Sequence, residues 1–487
     1  MSLKKKTLNG VKWNLLSTII TSVLSIVILW VLSHLLTTSQ YGIVSASIII
    51  SNFCIMLLDF GISNSIVRSS KITDLELTSL FWTNLTLGFV LFVCVYFFSY
   101  DISLLFNAGP LLEKQIKIMS FGFVILSIGV QPKALLARDI KFSKISIINI
   151  ISNSSNFILV VFLTYFYRSP DVVAISFLIS STINSLVSQY FTLNYYKLSF
   201  SFNLKSIIAH LKYGVQLVLD STINQLSINT YPVLMSRIIS LAAIGGYNIS
   251  YGISISLFER LNPVLSHALF PAFSKISEDI KKFNLSFLKV TTFSAMVNFP
   301  MLLGMLVVSD YIVNIFFDNK WAFIIPIVKI LCLTGAIRSL DTPVISVLLA
   351  RAQMHRNVIL GFFKLLLGVP LTYLLGKKYG LIGISYGFLI IQATNTVLGY
   401  FYLLKPVTGI NLKKYLQAVL IPVLQVIPMV FLAMIFKEFT PIHNDMYNLI
   451  VVLIISFSTY CFCIFTSPFV VITEFKDTVI NNFLKRS

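Results

Sequence analysis

Seven ionisable side chains lie inside long apolar stretches of this sequence, and they are its most informative chemical feature. Four are basic and three are acidic, namely Arg260, Lys329, Arg338, Lys364, Asp220, Glu259 and Asp341. A charge inside an apolar membrane helix costs about 3 kcal/mol or more, so such residues usually serve a function. We predict that the basic side chains line a water-filled cavity and meet an anionic substrate. The acidic ones are candidates for proton or ion coupling.

A purely structural interpretation of these charges is also open. Arg338 and Asp341 are three residues apart, so they share a helix face and are able to neutralise each other. Glu259 has a neighbour in Arg260, or a partner on another helix. Lys364 lies about two and a half turns from a helix end and is able to snorkel to the interface. The cavity is favoured because the charges cluster in the second half of the chain, while apolar runs of the first half carry almost none.

The elements that must hold these residues are membrane helices. The chain has 487 residues, 56% hydrophobic and 11% charged, with a mean hydropathy of +0.87. A soluble domain carries about 25% charged residues, so much of this surface must face lipid. A spanning helix needs about 20 apolar residues. We predict an all-α membrane protein with about 14 transmembrane helices, at 13–36, 41–66, 78–99, 116–136, 144–167, 171–196, 209–236, 241–270, 285–309, 323–350, 355–376, 380–404, 415–436 and 446–468.

Basic residues in the connecting loops set the orientation. The net charge is +19, but Lys and Arg lie in short loops, so we expect no nucleic-acid partner. With the N-terminus inside, the cytoplasmic loops hold roughly three times as many basic residues as the outer ones, as the positive-inside rule requires. Both ends are therefore predicted to be cytoplasmic. Two prolines inside the predicted 323–350 helix, Pro326 and Pro343, predict kinks.

The domain organisation follows a faint internal repeat. Lys12-Trp13 and Lys212-Tyr213 open corresponding halves of the chain. We predict a six-helix bundle over 1–200, a second over 201–408, and two additional helices with a cytoplasmic tail over 409–487. Paired bundles of this kind suit a transporter. The helix at 209–236 is rich in Ser, Thr, Asn and Gln, which serve either helix packing or a hydrated lumen suited to sugar hydroxyls.

Enzyme motifs are missing from the sequence. It has no P-loop, no HExxH and no GxSxG elbow, and its five histidines are scattered. We expect no catalysis, no cofactor and no metal. The outer loops are too short to hold the active site of a polymerase or ligase.

Five segments carry a family resemblance. They are DFGISNSIVR at 59–68, LTSLFWTNL at 77–85, QPKALLARDIKF at 131–142, GYNISYG at 246–252 and LNPVLSHALFPAFSKISED at 261–279. In this order and spacing they resemble the Wzx-type polysaccharide flippases of the MOP exporter superfamily, in the branch similar to colanic acid exporters. The resemblance runs from about residue 8 to about residue 400.

The resemblance implies a MATE-like fold of two six-helix bundles around a central cavity, followed by two C-terminal helices. It also implies a bacterial inner-membrane protein that flips an undecaprenyl-diphosphate-linked oligosaccharide from the cytoplasmic to the outer leaflet. Its partners would be that substrate, the lipid bilayer, and a polysaccharide polymerase with chain-length proteins. A MATE-type drug antiporter is the alternative, but an antiporter for cations would need an acid-dominated cavity.

Overall fold

The computed structural model describes residues 3–69, 72–193, 195, 199–256, 259, 279–351, 353–439 and 444–467. These residues form helices and turns, with no strand among them. Bilayer hydrocarbon offers the backbone no hydrogen-bond partner, so a spanning segment must satisfy its own peptide groups, and helices do so internally.

The first compact unit extends from Met1 to Gly246. Its helices, in chain order, are α1 (Leu3–Leu35), α2 (Thr38–Asp59), α3 (Ile62–Arg68), α4 (Asp74–Phe97), α5 (Ser99–Leu105), α6 (Gly109–Arg138), α7 (Phe142–Tyr167), α8 (Asp171–Tyr190), α9 (Leu204–Ile238) and the first residues of α10, which covers 241–256.

The second compact unit extends from Tyr247 to Ser487 and holds the rest of α10. Its other helices are α11 (Ile280–Phe316), a 3₁₀ segment (Asn319–Ile324), α12 (Ile325–Arg338), α13 (Asp341–Ala350), α14 (Met354–Gly399), a π segment (Tyr400–Leu404), α15 (Lys405–Thr408), α16 (Leu412–Phe439) and α17 (Asp445–Thr466). The three-part division predicted from the sequence stays a prediction.

Helix starts follow local capping chemistry. Thr37 accepts a hydrogen bond from the Gln40 backbone N–H, and the Gln40 side chain accepts one from the Thr37 N–H, which is a capping box. Thr73 and Glu76 form the same box at the start of α4. These reciprocal bonds satisfy backbone donors that the first helical turn leaves unpaired.

The predicted fourteen-helix membrane fold is confirmed. Among the described residues, eleven helical stretches are long and apolar enough to cross a membrane. One of them, Met354–Thr408, is broken at Gly380 (φ 62°, ψ −142°) and supplies two of the predicted helices. Together with α9 and α10, these stretches correspond one for one to the fourteen predictions. The protein is therefore a multi-pass membrane protein.

The predicted helix at 323–350 is interrupted beside two of the candidate site residues. Arg338 ends α12 and Asp341 begins α13. At the break, the Leu340 N–H donates to the Ile337 carbonyl over three residues. Pro343 has no N–H to offer the carbonyl four residues earlier, which explains the break at this point. Pro326 instead lies in the first turn of α12, where proline fits without a kink, so the kink predicted there is wrong.

Candidate functional site

The ends of α12 and α10 bring three polar side chains together in the second unit. We call Arg338, Glu259 and Tyr251 the Arg338 group. Arg338 is the last residue of α12, Tyr251 lies on α10, and Glu259 lies beyond the last continuous described residue of that helix.

The Arg338 group is a closed triangle of hydrogen bonds. Arg338 Nη2 lies 2.8 Å from Glu259 Oε1, and Arg338 Nη1 donates to the Tyr251 hydroxyl at 2.9 Å. The Tyr251 hydroxyl donates to Glu259 Oε1 at 2.8 Å. The side chains of Arg338 and Glu259 are 20% and 32% exposed, so the ion pair is largely but not fully withdrawn.

The observed pairing decides between the structural interpretations of the sequence. Glu259 pairs with a residue of another helix, as one of those alternatives expected. A direct pair between Arg338 and Asp341 is not among the ion pairs of the described residues. Asp341 instead belongs to a second set, which we call the Lys364 group.

The Lys364 group consists of Lys364, Gln392 and Asp341. Lys364 Nζ donates to Gln392 Oε1 at 3.2 Å, and Gln392 Nε2 donates to Asp341 Oδ2 at 3.0 Å. The Gln392 side chain is fully buried, and its amide group bridges the two charged side chains. Lys364 thus points to a partner inside the unit, in contrast to the alternative in which it snorkels to the interface.

Two cavities adjoin the Lys364 group. One, of about 50 Å³, is lined by Asp341 together with the polar side chains of Asn357, Asn395 and Tyr415. The other, of about 290 Å³, is lined by Lys364 and mostly apolar side chains, and Asn395 lines it as well. The larger is just below the usual size of small-ligand pockets.

Lys329 lies in a different cluster from Arg338 and Lys364. Its Nζ is 2.8 Å from Asp310 Oδ1, and Lys437 contacts the other oxygen of that carboxylate. The cluster joins α11, α12 and α16. Nine residues of helix separate Lys329 from Arg338, a rise of roughly 14 Å. The structure therefore does not bring Lys329 to the Arg338 group.

Two of the predicted site residues have side chains outside the described part of the chain. Arg260 lies outside the described residues. Asp220 lies on the backbone of α9, but its side chain is outside the described part of the chain. The assignment of all seven residues to substrate or ion binding stays a prediction.

Sequence reasoning missed the two neutral residues that complete these groups. Tyr251 lies in the family segment GYNISYG, and Gln392 lies outside all five family segments. A glutamine inside an otherwise apolar run was a usable signal, because a buried amide requires partners. Gln392 satisfies this requirement with the two charges of the Lys364 group.

The two groups together balance their charges. Arg338 and Lys364 contribute two positive charges, and Glu259 and Asp341 contribute two negative ones. Within the described part of the chain, no three His, Cys, Asp or Glu residues are placed to hold a metal ion. The arrangement is suited to recognising an anion through a guanidinium and an ammonium, once a carboxylate makes room.

This chain is similar to known polysaccharide biosynthesis proteins. The family model of the polysaccharide biosynthesis proteins matches residues 31–326. A lipopolysaccharide biosynthesis protein WzxC from Escherichia coli (strain K12) is 35% identical over 422 residues, covering 87% of this chain and 86% of that protein.

Solved structures share the fold. The lipid II flippase MurJ in an inward closed conformation superposes with a TM-score of 0.76 at 20% identity, covering 94% of this chain and 98% of that one. An inward-facing multidrug resistance MATE transporter of the MOP superfamily gives 0.62 at 14% identity, covering 84% and 96%. At these identities the likeness concerns the fold alone, and the fold is MATE-like as expected.

Proposed function

Because this chain belongs to the polysaccharide biosynthesis protein family, and with it to the Wzx-type flippases of the MOP exporter superfamily, we propose that it flips a lipid-linked oligosaccharide across a bacterial cytoplasmic membrane. The substrate is an undecaprenyl-diphosphate-linked repeat unit destined for a surface polysaccharide such as O-antigen, capsule or exopolysaccharide. The names of the E. coli relative and of the lipid II flippase support this choice.

The observation that carries the proposal is the placement of Arg338 and Lys364 inside the second unit. A diphosphate loses water when it leaves the aqueous phase, and bare transfer into a low-dielectric medium costs tens of kcal/mol. A protein lowers this barrier by supplying cations and hydrogen-bond donors. Arg338 offers a planar fork that matches phosphate oxygens, and Lys364 offers a compact charge beside the 290 Å³ cavity.

The other predicted site residues take lesser places in the proposal. Arg260 remains a proposed substrate cation on the basis of its position in the sequence. Lys329 also remains a proposed substrate cation, in a separate cluster where it pairs with Asp310. Asp220, Glu259 and Asp341 remain proposed sites of ion coupling.

The proposed mechanism is alternating access. The polyprenyl tail stays in lipid while the head group crosses the cavity, and no covalent bond changes, so the protein acts as a transporter and not as an enzyme. Both termini lie in the cytoplasm. Direction is supplied by synthesis of the repeat unit inside and its polymerisation outside, or by ion coupling through the three acidic residues. A polysaccharide polymerase and chain-length proteins are the proposed partners.

The test is leaflet-resolved labelling of the lipid-linked sugar in wild-type and deletion cells. In the deletion strain we expect the intermediate to be made but to stay in the inner leaflet, and surface polymer to vanish. Normal arrival in the outer leaflet, in a strain without a close paralogue, would disprove the proposal. A drug-extrusion assay would then test the MATE-type alternative.

A further inference from the structure

We infer that Glu259 is a built-in counter-ion that occupies the phosphate position on Arg338 and is displaced when the substrate diphosphate binds. This inference rests on the proposed function. It states which side chain occupies the anion site before the substrate binds. It also makes Glu259 a determinant of which anions the site accepts.

The geometry shows that the guanidinium fork is already occupied. One terminal nitrogen of Arg338 contacts Glu259 and the other donates to Tyr251, whose hydroxyl holds the same Glu259 oxygen. Carboxylate and phosphate oxygens accept hydrogen bonds from arginine in the same manner. An incoming phosphate that bonds to both terminal nitrogens therefore competes with Glu259 for the guanidinium.

The charge balance leads to the same conclusion. The Arg338 and Lys364 groups hold two positive and two negative side chains, so together they offer a dianion no net attraction. Binding a diphosphate beside all four side chains would leave these two groups with two uncompensated negative charges, which is strongly unfavourable inside the membrane. One carboxylate must leave its cation before the substrate is held well.

Glu259 is better placed to leave than Asp341. Glu259 and Arg338 belong to different helices, so a small movement of one helix separates them. Asp341 is fixed by Gln392 and lies only three residues from Arg338 along the chain. Glu259 is also the more exposed partner of its ion pair, at 32% against 20% for Arg338, so it has room to move.

The exchange has a selective consequence. In the absence of substrate, Glu259 satisfies Arg338 and prevents the cost of a bare buried charge. A weakly bound anion offers no more than the carboxylate already does, so it gains little by replacing it. A ligand with two adjacent phosphates presents more oxygens and more charge, and it therefore displaces the Glu259 carboxylate from Arg338.

The experiment measures binding of inorganic pyrophosphate to the purified full-length protein by isothermal titration calorimetry. Removing the charge of a competing group should strengthen binding, so Glu259→Gln is expected to bind about tenfold tighter than wild type, a change of about 1.4 kcal/mol. Glu113→Gln is the matched control, because Glu113 also pairs with a cation, Lys117 at 2.6 Å, but in the first unit. The Glu113→Gln protein should bind pyrophosphate with the affinity of the wild type. Arg338→Ala should lose binding.

The possible results separate the two hypotheses. If Arg338→Ala loses binding while Glu259→Gln binds no tighter than wild type, the counter-ion inference is wrong and the proposed anion site stands. If Arg338→Ala binds as wild type does, the anion site itself is wrong. Transport by the protein is judged independently, by the leaflet labelling.

A second variant covers the case in which Glu259→Gln does not fold. Tyr251→Phe keeps both charges but removes the hydroxyl that holds Glu259 on Arg338. We expect pyrophosphate affinity to rise about threefold, because Glu259 keeps its ion pair with Arg338 but loses the hydrogen bond from Tyr251. An unchanged or lower affinity in a folded Tyr251→Phe protein would overturn the inference.

Discussion

Arg338 is the side chain on which the proposed chemistry depends most. It ends α12 at an interrupted helix and is held by an acid and a hydroxyl of another helix. A buried arginine needs such a counter-charge whether it serves packing or anion binding. Substitutions separate the two roles.

Arg338→Ala is expected to abolish polymer export while the protein still inserts in the membrane. Arg338→Lys should retain partial export, because lysine supplies the charge without the planar fork. Arg356→Ala is the matched control, since Arg356 bonds to Gln353 and the Tyr402 carbonyl away from both groups. Surface polymer would be quantified against membrane-inserted protein. Normal export by Arg338→Ala would return this residue to a structural role.

The Lys364 group permits a test of charge balance. Lys364→Met or Asp341→Asn alone should lower the free energy of unfolding by about 1–3 kcal/mol, because the first removes the donor to Gln392 Oε1 and each leaves the opposite charge uncompensated. The double variant should regain part of that loss, since no lone charge remains. Thermal denaturation of the purified proteins measures this. Export should stay low in the double variant if Lys364 binds substrate, whereas restored export would mark the group as structural.

Helix packing places the first unit's α9 against α3 with almost no space between backbones. A Cβ built on Gly214 would lie 2.2 Å from the Phe60 carbonyl oxygen, and one built on Gly61 would lie 2.7 Å from the Gly214 Cα. One turn away, Ser65 and His210 share a hydrogen bond of 2.6 Å. Small residues allow this approach, which in membranes gains mainly packing contacts.

Gly214→Ala should therefore destabilise the protein, by about 1–3 kcal/mol, as overpacking usually does. Gly304→Ala is the matched helical control, because its new Cβ would meet only the flexible end of Met429 at 3.7 Å. That change should be neutral or stabilise by up to about 1 kcal/mol through helix propensity. Equal thermal stability of the two variants would show that the close approach at Gly214 contributes little.

The lipid environment explains why so many large apolar side chains of the molecule are exposed. Phe97 and Phe457 are 73% and 72% exposed. In the first spanning helix, only 11% of the most apolar 18-residue stretch is buried within the protein. In water such a surface would aggregate, whereas in hydrocarbon it needs no protein cover. Orientation is then set by the basic loops.

Reporter fusions test this orientation. Fusions are expected to read cytoplasmic after Lys71, Lys205 and Lys414, and extracytoplasmic after Gln40, Pro110 and Asn319. The reason is the excess of lysine and arginine in alternate loops, which stay on the cytoplasmic side during insertion. Paired alkaline phosphatase and green fluorescent protein fusions provide the two opposite readouts. A single inverted position would break the alternation and with it the proposed orientation.

The sequence by itself determined the helical membrane fold and the number of spanning segments. Hydropathy suffices for this because each spanning segment must be apolar and must satisfy its own backbone, whatever its neighbours are. The sequence also singled out the buried charges, since a charge in an apolar run stands out without knowledge of its partner. The family motifs then indicated the substrate class.

Only the tertiary structure decided which charges meet. Arg338 bonds to a tyrosine 87 residues away, and Asp341 to a glutamine 51 residues away, while the nearby pair of Arg338 with Asp341 does not form among the described ion pairs. Lys329, on the same helix as Arg338, joins Asp310 instead. Hydropathy is insensitive to the rotation of a helix about its axis and to the break before Asp341. Both depend on packing between helices, and they determine whether two charges lie 3 Å or more than 10 Å apart.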